Sequence, residues 1–212
     1  MKIFCFAFVF TLTAASSGCT FTERSRALNN PGVSALTTVQ QVCSNCHGAG
    51  GNSTSPAFPA LAGQQKVYLI AQLKAYRSHA RFDPDAVAYM WGISSHLTDA
   101  QIDGLATYYA AALPFSSPVK TPADLTAGRT IYEKGIAARN VPACASCHGA
   151  AAQGAQQFPR LAGQHAAYLV KQLNIFQKTD TRPEGSIMKA VVHDLTPQDI
   201  SEVARYLESL RA

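Results

Sequence analysis

Apolar side chains recur at helical spacing in two stretches of the chain, starting at 68 and again at 168. Tyr68, Leu69, Gln72, Leu73 and Tyr76 fall at i, i+1, i+4, i+5 and i+8, and Tyr168, Leu169, Gln172, Leu173 and Phe176 repeat the stripe. A second stripe, Ile102, Leu105, Ala106 and Tyr109, is matched by Ile200, Val203, Ala204 and Leu207. The start of this second helix is marked both times. Thr98 and Gln101 have the spacing of a capping box, and Thr196 precedes Pro197 at a first helical position, where a missing N–H costs nothing. Period-two alternation is weak throughout, so the pattern predicts an all-α fold with three principal helices per unit and long loops.

The matching stripes belong to a longer repeat. "FPALAGQQKVYLIAQLKAY" at 58–76 aligns with "FPRLAGQHAAYLVKQLNIF" at 158–176, and the Leu-Thr pair at 97–98 recurs at 195–196. Two copies of one unit follow, at 27–115 and 123–212. Between them "LPFSSPVKTPAD" carries prolines and paired serines that oppose helix propagation, which predicts a linker at 116–122. So few helices around such long loops leave a poor core for a unit of roughly ninety residues. Something besides side chains is expected to fill it.

Composition narrows the class. Of 212 residues 47% are hydrophobic and 15% charged, which excludes a disordered chain. The opening "MKIFCFAFVFTLTAASSGCT" has one lysine, a short apolar run and then small residues, the pattern of an export signal over 1–18. Cys19 follows "ASSG", similar to the cleavage site of bacterial lipoproteins except at Ser16, so a lipid anchor at Cys19 and plain cleavage are both expected outcomes. The net charge is +5, with 11 basic and 8 acidic residues in 117–212 against 4 and 4 in 27–116. That balance, without any basic run, argues against a nucleic-acid partner.

Setting aside Cys5 and Cys19, four cysteines remain, as "CSNCH" (Cys43, Cys46, His47) and "CASCH" (Cys144, Cys147, His148). An exported chain could oxidise them to disulfides. Four thiolates could hold zinc, although the pairs are far apart in the chain and zinc does not require a histidine after each. A thioredoxin-like dithiol normally sits beside a strand, and no strand pattern is present. The remaining reading is c-type haem attachment: two thiols one helical turn apart add to the porphyrin vinyl groups, and the next residue is carried beneath the ring.

Apart from the initiator, the methionines are Met90 and Met188, one per unit, each followed by two residues, an aliphatic residue, three residues and Leu-Thr. They lie 43 and 40 residues beyond His47 and His148, as axial ligands opposite those histidines would. The ordinary role of methionine is core filling. His79 and His165 lack counterparts in the other unit and read as surface residues, while His96 and His193, the rival ligands, are out of register by one position. Pro59 lies 12 residues after His47 and Pro159 lies 11 after His148. Each offers a carbonyl that could orient the imidazole, or is a loop breaker.

The mature chain resembles the dihaem cytochromes c of the cytochrome c4 family, on "CSNCHG" and "CASCHG", the "FPxLAGQ" segments, both methionine frames, the closing helices and "YEKGIAARNVPACASCHG". The resemblance implies two tandem class I cytochrome c domains related by a pseudo-twofold axis, with two covalently bound haem c groups facing the interface. It also implies iron ligation by His47 with Met90 and by His148 with Met188, and Pro59 and Pro159 orienting the histidines. The implied function is periplasmic electron transfer from a donor dehydrogenase or bc1-type complex towards a terminal oxidase. An electron-accepting subunit of a dehydrogenase, or a dihaem enzyme of the peroxidase or thiosulfate-oxidising type with one labile ligand, is the alternative. One departure stands out: "PGVSALTTVQQ" before the first cysteines lacks the glycine and aromatic of "AGRTIY" in the second unit, leaving that helix crossing open.

Overall fold

The computed structural model describes residues 28–114 and 124–210. The expected export signal over 1–18, Cys19 and the expected linker over 116–122 lie outside the described residues. Regular structure among the described residues is helical, with two isolated β-bridges, Ile136 to Val141 and Ala155 to Phe158.

In the first half, α1 (Ala35–Thr38) runs through a π-helical turn, Val39–Cys43, into α2 (Ser44–His47). Then follow α3 (Lys66–Arg77), α4 (Trp91–Ser94) and α5 (Asp99–Ala111). The second half has α6 (Thr126–Lys134), α7 (Ala145–His148), α8 (Ala166–Lys178), α9 (Ile187–Val192) and α10 (Pro197–Ser209). The closing helices α5 and α10 start at full capping boxes. Thr98 pairs with Gln101 as its spacing predicts, and Thr196 pairs with Asp199, so an acidic residue completes a cap that the sequence marked only by its proline.

Each half has its own apolar core. Val39, Leu69, Leu97, Ile102, Leu105, Ala106 and Tyr109 form one, and a larger set including Ile131, Tyr132, Leu169, Val192, Ile200, Val203 and Leu207 forms the other. The stripes along α5 and α10 supply both, so each closing helix is the hub on which α1 and α3, or α6 and α8, pack.

The two hub crossings reach close approach differently. In the second half a Cβ on Gly128 would lie 2.1 Å from the carbonyl oxygen of Glu202, so α6 and α10 meet backbone to backbone. In the first half the glycine sits on the other helix: a Cβ on Gly104 of α5 would lie 2.8 Å from the Cβ of Ala35. A small pair is kept with its members exchanged, which closes the question left by "PGVSALTTVQQ". Gly128→Ala is therefore expected to cost about 1–3 kcal/mol by overpacking, despite alanine's better helix propensity. Denaturant unfolding of the haem-loaded protein checks this, and a gain in stability would refute it.

The halves meet around two buried arginines, one from each half. Arg81 and Arg182 are 3% and 6% exposed. Arg81 Nη1 donates to Gln72 Oε1 at 2.6 Å and Nη2 to Gln172 Oε1 at 3.2 Å; Arg182 Nη1 donates to Gln172 Oε1 at 2.6 Å and Nη2 to Gln72 Oε1 at 3.1 Å. Each guanidinium lies over an aromatic ring, Tyr76 for Arg81 and Phe176 for Arg182. The glutamines kept in both apolar stripes thus face this cluster rather than a core.

Candidate metal centres

Each CxxCH segment forms a single helical turn, α2 or α7, with its first cysteine at the residue before the turn. A glycine follows each histidine at positive φ, Gly48 at 76° and Gly149 at 83°, where the chain reverses at once. A side chain at 48 would also meet the Asn52 carbonyl oxygen at 2.2 Å. The reversal sends the loop back past the histidine, where the Phe-Pro segments arrive.

His47 and His148 are buried, and Nδ1 of each lies 2.9 Å from the carbonyl oxygen of Pro59 or Pro159. A carbonyl only accepts, so the hydrogen sits on Nδ1 and Nε2 keeps its lone pair. Phe58 and Phe158 pack edge-on to the imidazoles, with ring centroids 6.3 and 6.2 Å away. Burial holds both histidines below their ordinary pKa, against the opposing pull of the proline carbonyls, which favours the neutral form that binds a metal.

The four cysteines are free. Burial pushes the Cys43 and Cys144 thiols up to about 11, the reverse of what a zinc thiolate or a reactive dithiol requires. Among the described residues no three histidine, cysteine, aspartate or glutamate side chains gather to hold a bare metal ion. The zinc alternative therefore has no site among the described residues.

Met90 ends the π-helical turn Ala86–Met90, and Met188 lies in α9, packed against the second core. Both are half-buried, although one repeat position carries two local conformations. The rival ligands His96 and His193 are exposed, and His193 Nδ1 is 2.8 Å from Asp194 Oδ1. His79 is exposed and stacks on Trp91, as a surface residue would. His165 departs from the surface expectation: its side chain is 18% exposed and its Nε2 lies 2.9 Å from the Ser53 carbonyl of the other half. Lacking a repeat counterpart did not mean lacking a contact, because the partner lies across the interface.

The donor set fits a covalent haem in each half: two thiols, a neutral imidazole with Nε2 free and one half-buried thioether. Beside the second histidine, Arg160 Nε and Nη2 are buried without a hydrogen-bond partner, and burial holds this guanidinium below its ordinary pKa. Such donors suit the carboxylates of a porphyrin. The equivalent position in the first half is Ala60.

The sequence matches the cytochrome c family over residues 36–110 and again over 125–211. It is 39% identical over 191 residues to cytochrome c-552 of Acidithiobacillus ferridurans, covering 89% of this chain and 82% of that one. The structure resembles that of cytochrome c4 from Acidithiobacillus ferrooxidans, with a TM-score of 0.73, 39% identity, and coverage of 79% of this chain and 98% of that one. A thiosulfate dehydrogenase electron acceptor of Thiomonas intermedia is 34% identical over 170 residues, 78% of this chain and 76% of its own. Two tandem matches, agreement in sequence and structure, and a donor set suited to haem in each half place the chain in the cytochrome c family, among the cytochromes c4, electron carriers with two covalent haem c groups.

Proposed function

We propose that Cys43 and Cys46 attach one haem and Cys144 and Cys147 the other, with His47 and Met90 on the first iron and His148 and Met188 on the second. The observation that carries this reading is the pairing, in both halves, of a buried histidine whose Nδ1 is fixed by a proline carbonyl with one half-buried methionine. The haem supplies one-electron exchange at its iron. The chain's residues do the rest. Pro59 and Pro159 fix the tautomer and angle of each imidazole, the thioethers favour the ferrous state, and apolar burial disfavours the extra charge of the ferric state. With four porphyrin nitrogens and two protein side chains taking the six positions on each iron, none would be left for a substrate, so the protein carries electrons and catalyses no reaction of its own.

The N-terminal pattern supports a periplasmic site of action, free or lipid-anchored at Cys19, with a dehydrogenase or bc1-type complex as donor and a terminal oxidase as acceptor. Among the described residues no helix is long and apolar enough to cross a membrane. The kinship with a thiosulfate dehydrogenase electron acceptor supports a second reading, service to one dehydrogenase as its dedicated acceptor. Co-purification with an enzyme distinguishes that role.

A pyridine haemochrome count and absorption spectrum of the exported protein test the primary reading. Two covalent haems per chain are expected, both showing the weak long-wavelength band of methionine-ligated ferric haem. Half that band would remove one methionine from the assignment, and no haem would remove the reading altogether.

A further inference from the structure

One peptide unit stands between each haem histidine and the opposite half of the molecule. The peptide joining Pro59 to Ala60 accepts from His47 Nδ1 through its C=O, and its N–H donates to Gln164 Oε1 at 2.9 Å. Gln164 Nε2 donates in turn to the Ala60 carbonyl at 2.9 Å. The mirror arrangement is complete. The peptide joining Pro159 to Arg160 accepts from His148, its N–H donates to Gln64 Oε1 at 2.7 Å, and Gln64 Nε2 donates to the Arg160 carbonyl at 3.1 Å.

These contacts are direct and enclosed. Gln64 and Gln164 are each 6% exposed, and the cavity they line with Ala60 and Arg160 is about 10 Å³, at the lower limit for one water molecule. Each Oε1 also accepts the N–H of its following residue, Gln65 or His165, which pins the amide's orientation. Gln65 and His165 then cross the interface to carbonyls of the opposite half, at Gln153 and Ser53. Apart from that local N–H, the Gln64 and Gln164 side chains each have their partners in the other unit.

We propose that Gln64 and Gln164 are crosswise positioning residues, each holding and polarising the peptide that orients the other domain's haem histidine. The peptide is a resonant unit, so an acceptor on its N–H draws electron density onto its C=O, and hydrogen bonds in such a chain strengthen one another by about 10–30%. A stronger acceptor at Pro59 or Pro159 makes the imidazole more basic and a better donor to iron, favouring the ferric state. Gln164 therefore lowers the potential of the first haem, and Gln64 that of the second. This rests on His47 and His148 being the iron ligands.

The test is site-resolved redox titration, following each haem's methyl resonances by NMR, in the full-length protein and in Gln164→Leu and Gln64→Leu. Gln164→Leu is expected to raise the first haem's potential by a two- to threefold change in its reduction equilibrium, roughly 20–30 mV at 59 mV per tenfold, with a smaller change at the second. Gln64→Leu should do the reverse. Simple loosening of the interface would instead admit water and lower both potentials, so falls at both haems, or no crosswise pattern, would overturn the proposal. On the unsubstituted protein, the amide protons of Ala60 and Arg160 should exchange slowly. Exchange at the rate of exposed amides would overturn the proposal even if a variant failed to fold. Failure of the histidine assignment shows separately, as absence of the shifted imidazole resonances of iron-bound His47 and His148 from the NMR spectrum of the unsubstituted protein.

Discussion

Met188→Ala is expected to halve the long-wavelength ferric band, to lower one of the two potentials by tenths of a volt, and to let carbon monoxide bind one haem per chain. The direction follows from the thioether, a soft and neutral ligand that favours ferrous iron. Axial ligation commands a range of about 0.8 V in haem proteins, so losing one such ligand exceeds anything hydrogen bonding supplies. Alanine keeps α9 helical, and Met188 is only half-buried against the second core, so the fold should survive. Met90→Ala should act likewise on the other haem. A full band in either variant would send the assignment back to the histidines, although His96 and His193 both lie exposed.

The largest expected loss of stability comes from Arg81→Leu. Arg81 Nε donates to Asp83 Oδ2 at 2.7 Å, and the two side chains are 3% and 0% exposed. Removing the guanidinium leaves a carboxylate buried without its counter-charge, which costs about 3–5 kcal/mol, far more than the intact pair contributes over an apolar replacement. Asp83 Oδ1 already has no hydrogen-bond partner, so no second donor stands ready. Arg81→Leu with Asp83→Asn should recover part of the loss. Arg182→Leu should cost less, about 1–3 kcal/mol, since Glu184 beside it is 21% exposed and water can take over. Denaturant unfolding of the haem-loaded variants measures all three, and equal losses for the two arginine substitutions would contradict this account.

What could be read from the sequence was local or repeated. Thr98 and Gln101 announce their cap because its chemistry is complete within four residues. The hub helices are legible from their apolar stripes, and the all-α fold from the absence of alternation. Met90 and Met188 stood out through the repeat, yet the repeat did not carry their different local conformations, a π-helical turn and an α-helix, because those depend on the loops before them. The interface was harder to see. Gln72 and Gln172 looked like members of a helical stripe, but their partners are arginines in dissimilar segments, "HARFDPD" and "TDTRPEG". His165 reads as a surface residue for the same reason: its partner, Ser53, lies 112 residues away in the other unit.

The reciprocal contacts between the halves are those of an isologous dimer, in which every bond occurs twice about the axis. Two separate identical chains meeting in this way must carry the same residue at equivalent positions on both sides. A single continuous chain is free of that rule. Here the freedom shows beside the haem loops, where alanine at 60 faces arginine at 160 within an otherwise matched frame. A covalent tandem can therefore give its two centres unequal surroundings, and so a built-in direction of electron flow, while keeping the self-complementary surface of a symmetric pair.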